Sequence, residues 1–224
     1  MFFYKIIHWV IYFLFKDQVA EVKGLENLPK NDGFIIAANH ETAYDPLIIV
    51  TVLRSFLRRY FSPRLKKIYF LGKAGMRYKI FRYNIATVLV NLLGEKMGYL
   101  PANRAGLIRA IELLEQGHII VIFPESHQNI KKQLLRGRRG VSVLALRSMK
   151  EVVPTGCFGN SARNLKQFLK YWKEKKRIIF GPRFCLTPSE NKATALYPAA
   201  LNAATNIIMQ AISKVSNKNY PFSH

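Results

Sequence analysis

Apolar runs of strand length alternate with longer stretches of helical period along most of this chain. The sequence predicts strands at Gly33–Asn39, Lys67–Lys73, Gly98–Ala102, His118–Glu125, Val152–Phe158 and Arg177–Leu186. It predicts helices at Pro46–Arg59, Met76–Leu93, Ala105–Gln116, Arg138–Lys150, Ala162–Lys173 and Ala195–Lys214. Continuous apolar runs are typical of strands buried on both faces, and strands that alternate with helices favour parallel pairing. The pattern therefore predicts an α/β fold with a largely parallel sheet flanked by helices.

The balance of charge indicates a negatively charged partner. The chain has 224 residues, of which 50% are hydrophobic, and its 35 Lys plus Arg against 13 Asp plus Glu give a net charge of +22. This composition excludes a disordered basic tail and predicts one domain with a buried core. Nucleic acid and anionic lipid are the two abundant partners for such a charge. The only cysteines, Cys157 and Cys185, lack the number and spacing of a disulfide framework or a metal clip, which favours a reduced, cytoplasmic-facing protein.

A helix is also predicted at the N-terminus, where Phe2–Phe15 is almost wholly apolar apart from Lys5 and His8. A membrane span needs roughly 20 apolar residues, so this segment is too short to cross a bilayer. Its aromatic residues and flanking lysines favour a helix that lies among lipid headgroups. The alternative is a helix that docks on the protein's own core. We expect an N-terminal membrane-interface helix over residues 1–21 and one further domain over residues 22–224.

The end of the first predicted strand carries a histidine and an aspartate five residues apart. His40 leaves the strand, and Asp45 precedes Pro46 at the start of the next helix. A neutral imidazole can take a proton from a hydroxyl group, and a carboxylate can fix its tautomer and stabilise the imidazolium that results. The alternative is that Asp45 only caps the helix and His40 is a turn residue, and spacing alone favours that alternative.

Three later strand ends also carry candidate residues. Arg104 begins a helix after the strand at Gly98, where free backbone amides are suited to a phosphate group. Glu125 ends a buried strand, and its carboxylate would accept a hydrogen bond from a polyol substrate. The pair Val153 and Pro154 places a proline inside a strand, which predicts an edge or bulged strand near a site. Each of these features is ordinary when it stands alone.

Taken in chain order, these strand ends resemble the glycerolipid acyltransferase family, especially its bacterial-type 1-acyl-glycerol-3-phosphate acyltransferases. The matching positions are Asn39, His40 and Asp45 in the first block, Gly98 and Arg104 in the second, Phe123, Pro124 and Glu125 in the third, and Val153 and Pro154 in the fourth. In the third block Ser126, His127 and Gln128 stand where the family has glycine, threonine and arginine. The resemblance runs from about Val22 to Gly159 and includes a strand that ends at Lys73.

The resemblance implies that His40 takes the proton from the free hydroxyl of lysophosphatidic acid while Asp45 orients the imidazole. The hydroxyl then attacks the thioester of acyl-ACP (acyl carrier protein) or acyl-CoA, with no metal and no bound cofactor. The other implied roles are phosphate binding by Arg104 and Lys73, substrate contact or site support by Asn39, Glu125 and Gly98, and lining of the acyl side by Val153 and Pro154. The family's arginine is missing from the third block. Its absence weakens the expectation that this site binds phosphate more than the expectation that His40 takes a proton.

The resemblance also implies a mixed, largely parallel sheet of the glycerolphosphate acyltransferase type and a monotopic position on the cytoplasmic face of the cell membrane. The clustering of charge agrees with a membrane partner, because ten Lys or Arg and no Asp or Glu lie between Pro46 and Gly94. Each basic residue near anionic lipid adds about 1 kcal/mol. A further basic run, from Lys131 to Arg139, would suit an acidic acyl carrier protein or a coenzyme A phosphate.

Two alternatives remain open at the level of sequence. One keeps the fold and chemistry but changes the acceptor to glycerol 3-phosphate or another lysolipid. The other is a basic nucleic-acid-binding module, in which aromatic side chains stack on bases. We expect no nucleic-acid partner, because the chain has no recognition-helix, zinc or aromatic-sheet motif and an apolar N-terminal helix has no role on nucleic acid.

Overall fold

The computed structural model describes residues 2–42, 44–60, 67–72, 98–159, 174–187 and 197–222. The strands there are β1 (Val19–Lys23), β2 (Phe34–Ala38), β3 (Ile68–Gly72), β4 (Tyr99–Pro101), β5 (Ile119–Ile122), β6 (Val152–Phe158) and β7 (Lys176–Phe180). The α-helices there are α1 (Phe2–Phe15), α2 (Asp45–Tyr60), α3 (Arg104–Glu115), α4 (Gly140–Ser148) and α5 (Pro198–Ser216). The predicted helices at 76–93 and 162–173 lie outside the described residues.

The seven strands form one sheet in the order β1-β7-β6-β2-β5-β3-β4. Every neighbouring pair is parallel except β6 and β7, which run antiparallel. β2 lies in the middle, with Ala37 opposite Ile122 of β5 on one side and Pro154 of β6 on the other. The prediction of a mixed, largely parallel sheet flanked by helices is confirmed. The carboxyl ends of β2, β3, β4, β5 and β6 therefore meet at one edge.

Hydrophobic side chains cover both faces of the sheet, which explains why the strand sequences are continuously apolar. Successive residues of a strand point to opposite faces. Phe34, Ile36 and Ala38 of β2 pack in the core shared with α1 and α2. Ile35 and Ala37 pack in the core shared with α3, α4 and α5. All five positions of β2 are buried, so the strand that carries the candidate histidine is rigidly held.

Helix α1 has one buried face and one exposed face. Phe15 and His8 are 3% and 4% exposed and contribute to the contact with α2. Burial, reinforced by the charge of Arg54, lowers the pKa of His8 from 6.5 to about 4. The exposed apolar residues of α1 are Ile6, Trp9, Val10, Phe13 and Leu14. Helix α1 thus docks on the core through one face, as the alternative expected, and leaves a second apolar face uncovered.

No helix in the described part of the chain is long and apolar enough to cross a membrane. This finding agrees with the length argument made for Phe2–Phe15, which the structure shows as one helix with those bounds.

The sheet edges differ from the sequence prediction in two places. β1 was not predicted, because Glu21 and Lys23 interrupt its apolar pattern and none of its residues is fully buried. The last strand was predicted to extend to Leu186 but ends at Phe180, because Gly181 and Pro182 follow it. Both errors concern segments at or next to the edge of the sheet, where hydrophobic patterning is weakest.

Of the two alternatives predicted for Pro154, an edge strand or a bulged strand, the edge strand is wrong. β6 is an interior strand, with β2 on one side and β7 on the other. Pro154 lies between a bridge that joins Val152 to Phe184 and the pairing with β7, which begins at Thr155. Its carbonyl still accepts a hydrogen bond from the Gly181 amide at 2.8 Å. The missing N–H of proline is tolerated here because the antiparallel pairing is interrupted at this residue.

Candidate active site

Asn39, the residue after β2, ties that strand to β6. Its side-chain amide donates to the Cys157 carbonyl at 3.0 Å, and its side-chain oxygen accepts from the Cys157 amide at 2.7 Å. Asn39 is fully buried. This two-way clamp extends the sheet by one residue with a side chain in place of backbone, and it fixes the point at which His40 leaves the sheet.

His40 and Asp45 are brought into contact by the turn that joins β2 to α2. His40 Nδ1 lies 3.0 Å from Asp45 Oδ2, and the side chains are 17% and 4% exposed. The carboxylate is an acceptor, so Nδ1 donates to it, and in the neutral imidazole the lone pair is then on Nε2. The imidazole is thereby set as a base with its Nε2 atom directed away from Asp45.

The Asp45 carboxylate is held by the turn as well as by the histidine. Oδ2 accepts from the backbone amides of Glu41 and Thr42 at 2.7 and 2.8 Å, and Oδ1 accepts from the Thr42 hydroxyl at 2.7 Å. These contacts fall on the turn before α2, so Asp45 does more than cap the helix. Three donors in addition to His40 stabilise the ionised carboxylate that a charged imidazole would need beside it.

Glu125, which follows β5, holds the backbone of His40. Its Oε1 accepts from the His40 amide at 3.2 Å, and its Oε2 accepts from the Asn129 side chain at 2.7 Å and the Leu135 amide at 2.8 Å. Glu125 is 2% exposed. Both carboxylate oxygens of Glu125 accept hydrogen bonds from groups inside the protein. These contacts are typical of a residue that supports a site.

The imidazole ring of His40 also packs against an aromatic residue. The Phe123 ring stacks on it with centroids 4.4 Å apart and an angle of 27°. The His40 carbonyl accepts from the Asn129 amide at 2.6 Å. Ring and backbone are therefore both constrained, which is the preorganisation that proton transfer requires.

Ser126 adopts an unusual backbone conformation at the end of the same turn. Its φ is +60°, in the left-handed region that glycine enters without steric cost. The residues that follow, His127 and Gln128, are exposed. This is the segment in which the sequence departs from the family pattern, and serine here keeps a conformation suited to glycine.

Arg104 lies at the same edge of the sheet but further from His40. It is the exposed first residue of α3, next to Asn103, whose side chain caps the helix by accepting from the Gly106 amide at 2.8 Å. β4 lies three strands from β2, which is about 14 Å at the usual strand spacing. Gly98 directly precedes β4 and has a φ of +85°. Lys73 lies outside the described residues, directly after the last residue of β3.

Val153 and Pro154 are buried in the interior of the sheet. Val153 is 0% exposed and packs in the core on the α2 side, opposite Ile36 of β2. The structure places both residues on the strand next to the one that carries His40.

A thiol also lies near the site, that of Cys157. Burial, reinforced by the charges of Asp45 and Glu41, raises the pKa of this thiol well above its ordinary value. The thiol therefore stays protonated at neutral pH, and a thiolate attack on an acyl group is disfavoured. The geometry favours His40 as the reactive group of this edge.

Sequence reasoning missed a second layer of residues behind His40. Glu41 accepts from the Gly159 amide at 2.8 Å and pairs with Lys218, whose Nζ lies 2.9 Å from Glu41 Oε1. Lys218 Nζ also donates to the Asn129 carbonyl at 2.8 Å. Glu41 could have been identified from the sequence, because it lies directly beside His40. Lys218 gave no such signal, because it lies far along the chain in a segment without a motif.

Three comparisons show which known proteins this chain is similar to. A family model described as "Acyltransferase" matches residues 19–157. A curated protein of Borreliella burgdorferi, "1-acyl-sn-glycerol-3-phosphate acyltransferase", is 25% identical over 148 residues, which cover 66% of this chain and 54% of that protein. The chain thus matches about half the length of this relative.

The fold is similar to that of a solved structure, the 1-acyl-sn-glycerophosphate (LPA) acyltransferase PlsC from Thermotoga maritima. The TM-score is 0.60 at 18% sequence identity, and the match covers 95% of this chain and 80% of the other. At this identity the likeness establishes the shared fold. Residues 19–157 run from the start of β1 to the next-to-last residue of β6 and contain every described residue of the His40 turn and the Glu125 turn.

Proposed function

Because this chain belongs to the acyltransferase family, we propose that it transfers an acyl chain from a thioester to the free sn-2 hydroxyl of lysophosphatidic acid, giving phosphatidic acid. The donor is acyl-ACP or acyl-CoA. The observation that carries the proposal is the 3.0 Å contact between His40 Nδ1 and the buried Asp45 carboxylate. It supports a general base at the carboxyl edge of the sheet, where a substrate approaches without crossing the core.

The reaction follows from the direction of the His40 lone pair. Nε2 takes the proton from the acceptor hydroxyl as its oxygen attacks the thioester carbonyl carbon. Asp45 stabilises the imidazolium that forms. Collapse of the tetrahedral intermediate breaks the carbon–sulfur bond, and the imidazolium returns the proton to the departing thiolate. The acceptor brings its own hydroxyl, so no serine or cysteine nucleophile of the protein is needed.

The phosphate of the acceptor is assigned to Arg104, with Lys73 as a second cation. Arg104 is exposed beside the free amides of the α3 N-terminus, a favourable place for an anion. An arginine side chain reaches back over part of the roughly 14 Å between β4 and β2, and the glycerol phosphate of the acceptor covers the remainder. The phosphate and the reacting hydroxyl would then be held at two separated points of one edge.

The membrane is the proposed source of the acceptor and the site of the protein. The uncovered apolar face of α1, together with the net charge of +22, supports attachment to a surface of anionic lipid. We place the protein on the cytoplasmic face as a monotopic enzyme. Only the uncovered face of α1 would enter the lipid, because the other face is packed on α2. The helix would therefore lie along the membrane surface.

The test is product analysis by mass spectrometry with lysophosphatidic acid, glycerol 3-phosphate and other lysolipids as acceptors and both donor types. His40→Ala should lower turnover by about two to four orders of magnitude while leaving the thermal midpoint nearly unchanged. His118→Ala is the matched control, because His118 precedes β5 at the opposite edge of the sheet.

Transfer by the wild-type protein to a different acceptor would correct the substrate and keep the chemistry. Near-normal turnover by His40→Ala would refute the catalytic assignment. No transfer to any acceptor, together with binding to duplex or single-stranded DNA in a gel shift and none to anionic vesicles, would favour the nucleic-acid alternative.

A further inference from the structure

Lys218 is a buried cation that reaches the turn of His40 from the C-terminal end of the chain. It follows α5 and is 7% exposed, and its Nζ contacts Glu41 Oε1 at 2.9 Å and the Asn129 carbonyl at 2.8 Å. Lysine is almost never buried without a partner, because desolvation of its charge is costly. Both of its partners are neighbours of His40, Glu41 through the chain and Asn129 through a hydrogen bond.

One partner of Lys218 lies in the first motif block and the other directly follows the third. Glu41 follows His40 in the first block and is also fixed by the Gly159 amide at 2.8 Å, at the end of β6. Asn129 follows the third block, donates its amide to the His40 carbonyl at 2.6 Å and donates its side chain to Glu125 at 2.7 Å. The Lys218 ammonium group therefore joins the segment after β2 to the segment after β5, directly behind the reacting histidine.

The backbone of Lys218 is itself well positioned. Asn217 ends α5 in the left-handed conformation, with a φ of +53°, and turns the chain back towards the sheet. The Lys218 amide donates to the Ser213 carbonyl at 3.2 Å. The next residue, Asn219, pairs with the segment after the third block through its amide to the Lys132 carbonyl at 3.0 Å. The side chain thus extends from a fixed point, which a surface lysine does not have.

We infer that Lys218 is a positioning residue for His40, acting through its ion pair with Glu41 and its hydrogen bond to Asn129. The inference rests on the proposed function for its kinetic consequence. Lys218 lies outside residues 19–157, so the acyltransferase family match does not include it. Loss of its charge leaves the 13%-exposed Glu41 side chain without its cation and frees the turn to move. A displacement of about 1 Å at a reacting group lowers a rate by about 100-fold.

The kinetic test compares the full-length wild type with Lys218→Met, Glu41→Gln and the double variant. Lys218→Met should lower kcat by about 10- to 100-fold and leave both KM values within about twofold, because the ammonium group touches no substrate. The double variant should lose no more kcat than Lys218→Met alone, since the two residues act as one unit. Lys214→Met is the control, because Lys214 is an exposed lysine in the last turn of α5, the helix that Lys218 follows.

A second measurement does not depend on activity. The side-chain nitrogen signals of His40 in ¹⁵N-histidine NMR spectra report its tautomer and its hydrogen bond to Asp45, and they are assigned by their absence in His40→Ala. They should change in Lys218→Met and remain unchanged in Lys214→Met. If Lys218→Met does not fold, the double variant carries the same comparison, since it has no unpaired carboxylate.

The experiments can reject the positioning role of Lys218 and the proposed function independently of each other. Wild-type kcat and unchanged His40 signals in the Lys218 variant, or in the double variant if only that one folds, would overturn the inference even if its thermal midpoint falls. If the wild type transfers no acyl chain, the proposed function fails, and the His40 signals alone decide whether Lys218 positions this histidine. An equal fall of kcat in Lys214→Met would also overturn the inference, because it would show a general charge effect.

Discussion

Attachment to the membrane is predicted to depend on two stacked aromatic residues on the uncovered face of α1. Trp9 and Phe13 are 53% and 57% exposed, and their ring centroids lie 5.3 Å apart. They project away from the face that packs on α2. The double substitution Trp9→Ser with Phe13→Ser removes this apolar surface without removing a core contact, so the fold should be retained.

The size of the effect follows from the exposed area. An aromatic side chain presents about 150–250 Å², so about half of each, on the order of 100 Å², is available to lipid. At about 25 cal/mol per Å², full burial of both would contribute about 5 kcal/mol. Insertion to the level of the headgroups buries part of that area, so we expect a loss of about 3 kcal/mol. This corresponds to roughly a 100-fold weaker partition into vesicles.

The assay is sedimentation with anionic vesicles at low salt and at about 1 M salt, where the screening length falls to about 3 Å. High salt removes the attraction of Lys and Arg to lipid but leaves apolar burial intact. The double variant should bind at low salt and release at high salt, whereas the wild type stays bound. The control is Ile108→Ser with Ile207→Ser, which removes two side chains of similar exposure, 48% and 49%, from other helices.

Wild-type binding by the Trp9 and Phe13 variant at high salt would refute this reasoning, and release of the control instead would place the anchor elsewhere. Deletion of residues 1–15 is a weaker test. It also removes His8 and Phe15, which are 4% and 3% exposed against the core, so the truncated protein should lose stability as well as an anchor. Point substitutions on the uncovered face separate these two roles of α1.

Three further predictions concern the phosphate site, the backbone and acid stability. Arg104→Ala should raise the acceptor KM far more than the donor KM, with Arg109→Ala of the same helix as the control; an equal rise in both would indicate a structural role. Ser126→Gly should raise the unfolding free energy by about 1 kcal/mol in urea titrations, and Ser126→Ala should not. The pKa of His8 is lowered from 6.5 to about 4, so the folded protein favours the neutral side chain. Its contribution to the free energy of unfolding is therefore fully present above about pH 6.5 and is lost as pH falls towards 4. His8→Leu should reduce this loss, which is about 2 kcal/mol between pH 7 and pH 5, in urea titrations at those two pH values.

The sequence was sufficient for the centre of the sheet because every strand there is buried on both faces. β2, β5 and β6 read as uninterrupted apolar runs, and parallel pairing then required their carboxyl ends to meet. For that reason the sequence predicted that His40 and Glu125 lie at the same edge of the sheet. The contact with Asp45 depended on the turn being short, which the five-residue spacing made plausible but could not decide against simple capping.

The contacts that support His40 could not be predicted from the sequence, for a physical reason. Lys218 meets Glu41 across 177 residues of sequence, and Lys218, unlike Glu41 beside His40, carries no periodic or motif signal. Glu125 reads as a strand exit, and only its three donors show that its carboxylate holds backbone in place. Patterns of hydrophobicity specify which elements form, whereas individual polar contacts depend on atomic positions that the pattern does not encode.

The departure from the family pattern in the third block separates into two effects. At Ser126 the backbone takes the left-handed conformation, with a φ of +60°, so a serine where the family pattern has glycine costs strain of about 1 kcal/mol. At the next two positions the side chains are exposed, so the replacements alter what the edge presents to a ligand and leave the core unchanged. The Glu125 and Asn129 contacts that hold His40 lie on either side of this segment and are intact. Under the proposed function, the contacts around His40 are therefore separable from what residues 127 and 128 present to a ligand, and we expect substitutions at those two positions to alter the choice of acceptor without altering His40.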